Sequence, residues 1–323
     1  MKLFETKLAK EDILKITDVL SEGSLGFGSN VDLFEQKFSS FSNKKNNIAT
    51  NSASASAFMI FSYLKEKYGI CDVYTTSLGF TSPAWAAKQF GHNLIFVDVQ
   101  DDLQFSTEHY KSIRNRYSSS TNKPVVMLVL YGGVSNIDGF ELFGDEITVI
   151  DSAHCVTPTI EGDYIFFSFH PYKPICSSDG GMISTDCDEA SEYFRSYRNF
   201  GRVMIDNTYD VNQNGFKFYM NNLNATIALT QLDRYEENLS LRRSNYKNLS
   251  NSFNLLPHDA NSSFYFATCL KDDANDVIIK TGWSRHYPML HKMSYYDTNQ
   301  TLPNLEKLHS KILNLPLWKK IDR

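Results

Sequence analysis

"FSFHPYKPICSSDGGMISTD" occupies residues 167–186, and its reading decides what fold the chain adopts. An apolar run ends in Ser168-Phe169-His170, Lys173 follows between Pro171 and Pro174, and the Gly180-Gly181 pair leads into a second apolar run. Lysine is ordinarily a flexible surface charge. Here two prolines restrict the backbone on either side of it, at the end of what reads as a buried strand.

Working outward, seven short apolar runs punctuate the first 190 residues: 46–50, 71–76, 93–98, 124–130, 146–151, 163–169 and 181–186. Most are continuous instead of alternating, which is the pattern of strands buried on both faces. Helical patterns lie between and around several of them, at 11–23, 30–41, 54–69 and 188–201. Strands alternating with helices predict an α/β fold with a mostly parallel sheet covered on both sides. Beyond residue 200 the texture changes. Residues 201–222 read as a polar excursion over the surface, and 223–249 as helix. The last eighty residues carry weaker strand signals at 264–270 and 276–283 and one helix at 304–313. The expected division is a large domain over 1–232 and a smaller α+β domain over 233–323. Ligands are expected at the carboxyl ends of the parallel strands.

Composition narrows the function classes. With 42% hydrophobic and 21% charged residues, the 323-residue chain reads as a soluble globular protein with a sizeable core. Its formal charge of -5 argues against nucleic acid as a partner, because phosphate backbones are bound by basic faces. The longest apolar runs are too short to span a bilayer, so no membrane partner is expected. The opening residues turn polar too soon for a signal peptide, and cytoplasmic localisation follows as the expectation. The five cysteines form no CxxC pair and read as reduced thiols, with no metal site.

Several polar groups sit where strands end. Asp151 closes one run, and His154 follows three residues later. Ser168 and Lys173 follow the next run. Ser52, Ala53 and Ser54 join the first strand to a helix. That junction reads either as a plain N-cap or as an anion site, where small residues let free N–H groups approach a phosphate. A lysine that forms a Schiff base must be held where its amine can be neutral and reach a carbonyl. The cofactor most often joined to such a lysine is pyridoxal phosphate (PLP). It needs a phosphate cradle, an acid for its ring nitrogen and a flat group against its ring, and this chain offers a candidate for each.

Residues 146–201 resemble the fold type I enzymes, and within them the DegT/DnrJ/EryC1/StrS sugar aminotransferases. The motifs that carry the resemblance are "IDSAHC" (150–155), "FSFHPYK" (167–173), "SSDGGMISTD" (177–186) and "RNFG" (198–201). The likeness extends along the chain through "GSLGFGSNVDLFEQKF" (23–38), "NSASA" (51–55), "TSLGFTSPAWAAKQFG" (76–91), "FKFYMNNLNATIALTQL" (216–232) and "ILNLPLW" (312–318). It implies a three-layer fold with a seven-stranded, mostly parallel sheet. It also implies a role for each matching residue. Lys173 would form the Schiff base and shuttle the proton, and Asp151 would pair with the pyridine nitrogen. His154 would lie beside the ring, and Phe80 would stack on it. Ala53, Ser54 and Ser168 would hold the phosphate.

Departures from the family pattern fall at Tyr172 and Pro174 beside the lysine, at Gly79 in place of a threonine, and at Lys217 and Tyr219 in place of an asparagine and an arginine. In the family that asparagine reaches the phosphate of a partner subunit, a part Lys217 can take as a point charge. The C-terminal region is expected to be shorter than in relatives.

The function implied is transfer of an amino group from L-glutamate to C4 or C3 of a nucleotide-linked keto-6-deoxy sugar. Pyridoxamine phosphate would form in turnover, the subunits would assemble as a homodimer with shared sites, and the product would serve O-antigen or other surface-polysaccharide synthesis. The alternative is a non-catalytic sensor of PLP or nucleotide sugars derived from the same family. A sugar 3-dehydratase would carry histidine at 173, and an NAD-binding domain would carry a GxGxxG after the first strand; this chain has neither. Trp283, His286 and Tyr287 read equally as sugar-pocket residues or as core and surface.

Overall fold

A computed structural model describes residues 8–116, 120–135, 142–296 and 298–318. Residues 1–7 and 319–323, on which the leader and C-terminal expectations turn, lie outside them. All seven apolar runs are strands: β1 (Asn46–Thr50), β2 (Cys71–Thr76), β3 (Asn93–Val97), β4 (Lys123–Val129), β5 (Ile147–Asp151), β6 (Tyr164–Ser168) and β7 (Gly181–Thr185). They form one sheet in the order β1-β7-β6-β5-β4-β2-β3, parallel throughout except that β7 runs antiparallel to both neighbours. The fold class is therefore the one the runs predict.

Continuous apolarity has its structural counterpart in two separate cores. Along β4, Val125 and Met127 face one core and Val126 and Leu128 the other. Ile183 and Met182 divide in the same way on β7, and Phe166 and Phe167 on β6. Helices α3 (Ala53–Tyr68), α4 (Thr81–Gln89) and α6 (Asp188–Tyr197) cover one face. On the other face lie α2 (Ser29–Ser42), α5 (Thr107–Arg116), α7 (Asn222–Asp233) and α8 (Tyr235–Leu249), with α1 (Lys10–Glu22) against α7. The surface excursion contains a two-stranded hairpin, β8 (Arg202–Ile205) with β9 (Thr208–Val211). A second small sheet pairs β10 (Ala267–Leu270) with β11 (Ile312–Leu315), accompanied by α9 (Ala274–Thr281) and α10 (Pro303–His309).

Two expectations are corrected, and one helix went unread. Residues 276–283 are mostly helix instead of strand. Asp276 in the first turn, Lys280 in the last and left-handed Gly282 as the C-cap favour a helix, and the run stays largely on the surface, with Ile279 81% exposed. The long helix over 223–249 is two helices broken at Arg234. Helix α5, with only Tyr110 and Ile113 buried, has too few apolar positions to announce itself in the sequence.

A buried ion network anchors edge strand β1. Glu35 Oε1 accepts from the Ala49 N–H (2.8 Å) and from Arg198 Nη1 (2.5 Å), while Oε2 accepts from Arg195 Nη1 (2.8 Å). Arg198 Nη1 also donates to the Ala49 carbonyl (2.7 Å). One carboxylate thus joins α2, β1 and the end of α6. Glu35→Ala leaves the Arg198 guanidinium buried without its counter-charge. The expected loss of stability is about 3–5 kcal/mol, read from denaturant unfolding.

Candidate active site

The parallel strands place their carboxyl ends along one edge, and β7, running the other way, begins there. Register sets Thr50 and Ser168 on either side of Gly181, and Val129 beside Asp151. Polar residues that end different strands therefore converge without any long excursion of the chain. Asp151 and Ser168 line a cavity of about 390 Å³.

Close approach builds the first wall. Ser52 caps α3 by accepting from the Ala55 N–H (3.1 Å). The Ala53 and Ser54 N–H groups, in the first turn, have no acceptor within their own helix. A Cβ on Gly181 would lie 2.5 Å from the Ser52 carbonyl carbon and 2.6 Å from the Ala53 nitrogen, so only glycine lets β7 run this close. The result is a row of small residues and outward N–H groups suited to an oxyanion.

The lysine loop forms the second wall. Its base is closed by the Phe169 N–H donating to the Gly180 carbonyl (2.8 Å) and the Ser177 N–H to the Phe169 carbonyl (2.8 Å). The Lys173 N–H donates to the His170 carbonyl (2.9 Å), making a tight turn. Pro174 and Ile175 are buried beneath it. Backbone freedom is thus removed around Lys173 while its side chain reaches into the cavity, with Nζ 5.0 Å from the ring centroid of Tyr265.

Burial sets the protonation states. It pushes the Lys173 ammonium down to about 8, with the nearby Asp151 charge opposing the change. It pushes the Asp151 carboxyl up to about 6, against one hydrogen bond from the Ala153 N–H (3.0 Å) and the charge of Lys173. His154 is held well below its ordinary value, first by burial and then by the charges of Lys173 and His286, so it is neutral. Its ring stacks on Tyr265 (4.1 Å, 23°), and Nε2 is hydrogen-bonded to Tyr287 Oη (2.9 Å). Its Nδ1 is buried without a hydrogen-bond partner. An enclosed amine with an appreciable neutral fraction, a carboxyl short of cations and an oxyanion cradle can together bind a charged aromatic aldehyde and manage its protons.

Of the residues singled out in the sequence, Lys173, Ala53, Ser54, Phe80, Asp151, His154 and Ser168 all line this one cavity. Phe80 stands at the start of α4, 55% exposed, with its ring 6.2 Å from that of Tyr287. Lys217 is exposed and is not part of the wall of its own chain's cavity; its carbonyl accepts from Asn51 Nδ2 (3.1 Å), next to Ser52. His286 and Tyr287 do line the cavity, whereas Trp283 packs on Phe253 against the core. Sequence reasoning missed Tyr265, Ser82, His170 and Asp179 as wall residues. Tyr265 stands in an apolar run between two other buried aromatics, and nothing in the run distinguishes it. Among the described residues no cluster of three or more His, Cys, Asp or Glu side chains could hold a metal ion, and no helix is long and apolar enough to cross a membrane.

Comparison with known proteins gives this arrangement a family. The sequence profile of the DegT/DnrJ/EryC1/StrS aminotransferase family matches residues 6–323, and the chain belongs to that family. It is 26% identical to the spore coat polysaccharide biosynthesis protein SpsC of Bacillus subtilis, covering 96% of this chain and 90% of SpsC. In structure it is similar to Helicobacter pylori PseC, an aminotransferase of pseudoaminic acid biosynthesis (TM-score 0.87, 20% identity, 99% and 94% of the two chains). It is also similar to Spr1654 of Streptococcus pneumoniae in its PLP form (TM-score 0.85, 19% identity, 100% and 94%). These structural likenesses show the fold type I architecture.

Three outcomes follow from the geometry. Amine-directed labelling of Lys173 in the cofactor-free protein should rise with pH through about 8 and then level, as the ammonium gives up its proton. About a tenth of the amine is then neutral at pH 7. Asp151→Asn removes the charge that favours the ammonium, so the midpoint should fall further; peptide mass spectrometry reads both. Gly181→Ala should weaken phosphate-ester binding, measured by calorimetry, because the strand must move away from Ser52 and Ala53.

Proposed function

We propose that this family member is a PLP-dependent aminotransferase that moves an amino group from L-glutamate to the keto carbon, C4 or C3, of a nucleotide-linked 6-deoxy sugar. The observation that carries the reading is the pairing, in one cavity, of an enclosed lysine with a depressed pKa and a buried carboxyl with a raised one. SpsC and PseC, by their names, serve polysaccharide and pseudoaminic acid biosynthesis, which supports a sugar as the amine acceptor in a surface-polysaccharide route.

The residues fit PLP. Asp151 is a buried carboxyl without an ion-pairing partner, the charge a protonated ring nitrogen would meet. The first turn of α3 offers the Ala53 and Ser54 N–H groups, and Ser168 a hydroxyl, to a phosphate. Phe80 at the rim offers a flat face. When bound, PLP supplies an aldehyde that joins amines and an electron-poor ring that takes up the electrons of a neighbouring C–H bond. Lys173 holds the amine that competes for that aldehyde. With PLP bound, the freed amine would take a proton from the donor's carbon and give it back on the carbon beyond the donor nitrogen. With its ammonium near 8, the same group serves as base and then as acid close to neutral pH. Asp151 would stabilise a positive charge on the ring nitrogen, and the stacked His154 and Tyr265 narrow that side of the cavity. The anchored loop limits motion to the lysine stem, so the proton moves over a short, repeatable path.

The reading extends to a homodimer that completes the site. Phe80 and Tyr172, both wall residues, are more than half exposed in the single chain, and Lys217 lies outside its own cavity. A second subunit covering the rim would bury these rings and bring Lys217 to a neighbouring phosphate.

Reconstituted with PLP and given L-glutamate alone, the protein should release one equivalent of 2-oxoglutarate per subunit and lose the long-wavelength absorbance of the bound cofactor. Lys173→Ala should slow this by about 10²–10⁴-fold. A panel of nucleotide-linked 4-keto and 3-keto sugars then identifies the acceptor. Binding of PLP without release of 2-oxoglutarate from any amino acid would overturn the enzyme reading in favour of a sensor.

A further inference from the structure

Either partner of the 2.9 Å pair between His154 Nε2 and Tyr287 Oη can be the donor, and burial decides which. His154 is neutral, so its ring carries one N–H. If that proton were on Nδ1, a buried donor would stand without an acceptor, because Nδ1 has no hydrogen-bond partner. An orphaned N–H bears the full cost of lost hydration, whereas a bare lone pair on the same atom costs less. The proton therefore belongs on Nε2, which donates to Tyr287 Oη. The hydroxyl of Tyr287 then keeps its own proton to give elsewhere. Burial first, and then the charge of Asp151, hold Tyr287 as a phenol.

The main chain that presents Tyr287 is fastened on every side. His286, the residue before it, lies in the left-handed region (φ 81°), a conformation that persists only where the surroundings impose it. Those surroundings are on hand. The Asn314 N–H donates to the Ser284 carbonyl (2.9 Å), and Asn314 Nδ2 (3.1 Å) and Tyr131 Oη (3.3 Å) both donate to the Arg285 carbonyl. His309 Nε2 donates to the Tyr287 carbonyl (2.9 Å), and the Leu290 N–H to the Ser77 carbonyl (3.0 Å). Asn314 is fully buried and is itself tied to Tyr131 and Thr268. A surface loop needs none of this; a loop that aims a side chain does.

We propose that Tyr287 is a binding residue of this site: with His154 Nε2–H donating to its oxygen, it directs its hydroxyl proton at an acceptor atom of the bound cofactor. The assignment to the cofactor side rests on the functional reading above and on Tyr287 standing beside Asp151 and His154 in the cavity wall. Tyr287→Phe keeps the ring and removes only the oxygen.

The test has two arms. In the cofactor-free protein, nitrogen NMR of labelled histidine, with His154→Gln to assign the signal, should show the His154 proton on Nε2. Tyr287→Phe should shift that resonance and speed its exchange with water. In the second arm, PLP should bind Tyr287→Phe roughly three- to tenfold more weakly than the wild type, while inorganic phosphate binds both equally. A proton found on Nδ1, a His154 signal unmoved by the substitution, or equal PLP affinities would overturn the proposal. If neither protein binds PLP, the functional reading fails instead, and the NMR arm still decides how Tyr287 and His154 share their proton.

Discussion

The close approach of β7 to the start of α3, possible because residue 181 has no side chain, is the constraint on which the site depends. It seats the Ser52–Ala53 junction against the strand that carries the far end of the lysine loop. With the Gly180 carbonyl bonded to the Phe169 N–H, both ends of that loop are referred to the same strand pair. Gly180 adds a second restriction, since a side chain there would collide with Met220 and Ser177 Oγ. Oxyanion cradle and lysine are thereby held at a set separation by backbone contacts, which are stiffer than side-chain packing. Glu35 complements this at the edge of the sheet, where one buried carboxylate ties α2 and Arg198 to β1, the strand that delivers Ser52.

A single physical cause governs the chemistry in the cavity. Removal from water lowers the lysine, raises the aspartate and suppresses the histidine charge, all by penalising ionised forms. The partial mutual support of Lys173 and Asp151 keeps these shifts moderate. An amine near 8 can gain and lose a proton at neutral pH. An aspartate near 6, supported only in part by Lys173, becomes a firm carboxylate as soon as a closer cation is set against it. In the proposed reading the cavity suits an occupant that brings its own positive ring and negative ester, and its aromatic wall of Tyr265, Tyr287 and Phe80 suits a flat one.

Much of this was legible in the chain itself. Continuous apolar runs identified the seven strands because a strand covered on both faces has no polar side to alternate with. Strand ends identified Asp151 and Ser168, and the helix start identified Ala53 and Ser54, because a parallel sheet gathers such ends at one edge. The prolines, glycines and spacing around Lys173 marked the loop. Illegible were elements whose cues are weak or local, such as the helix over Ala274–Thr281, where β-branched residues in a short run can serve helix or strand and only the caps decide.

By itself, then, the sequence determined the sheet, its two cores and the residues that approach one another along its edge, since periodicity and backbone chemistry are properties of neighbours in the chain. Only the tertiary structure decided that Tyr265, His286 and Tyr287, far downstream of Asp151 and His154 in the chain, complete the wall, and that Trp283 and Lys217 stay out of it. Their places are set by contacts such as Asn314 to Arg285 and Tyr287 to His154, between residues that no spacing relates. The protonation states followed the same division: which groups titrate was written in the sequence, and which way burial moved them was decided by the enclosure that folding built around them.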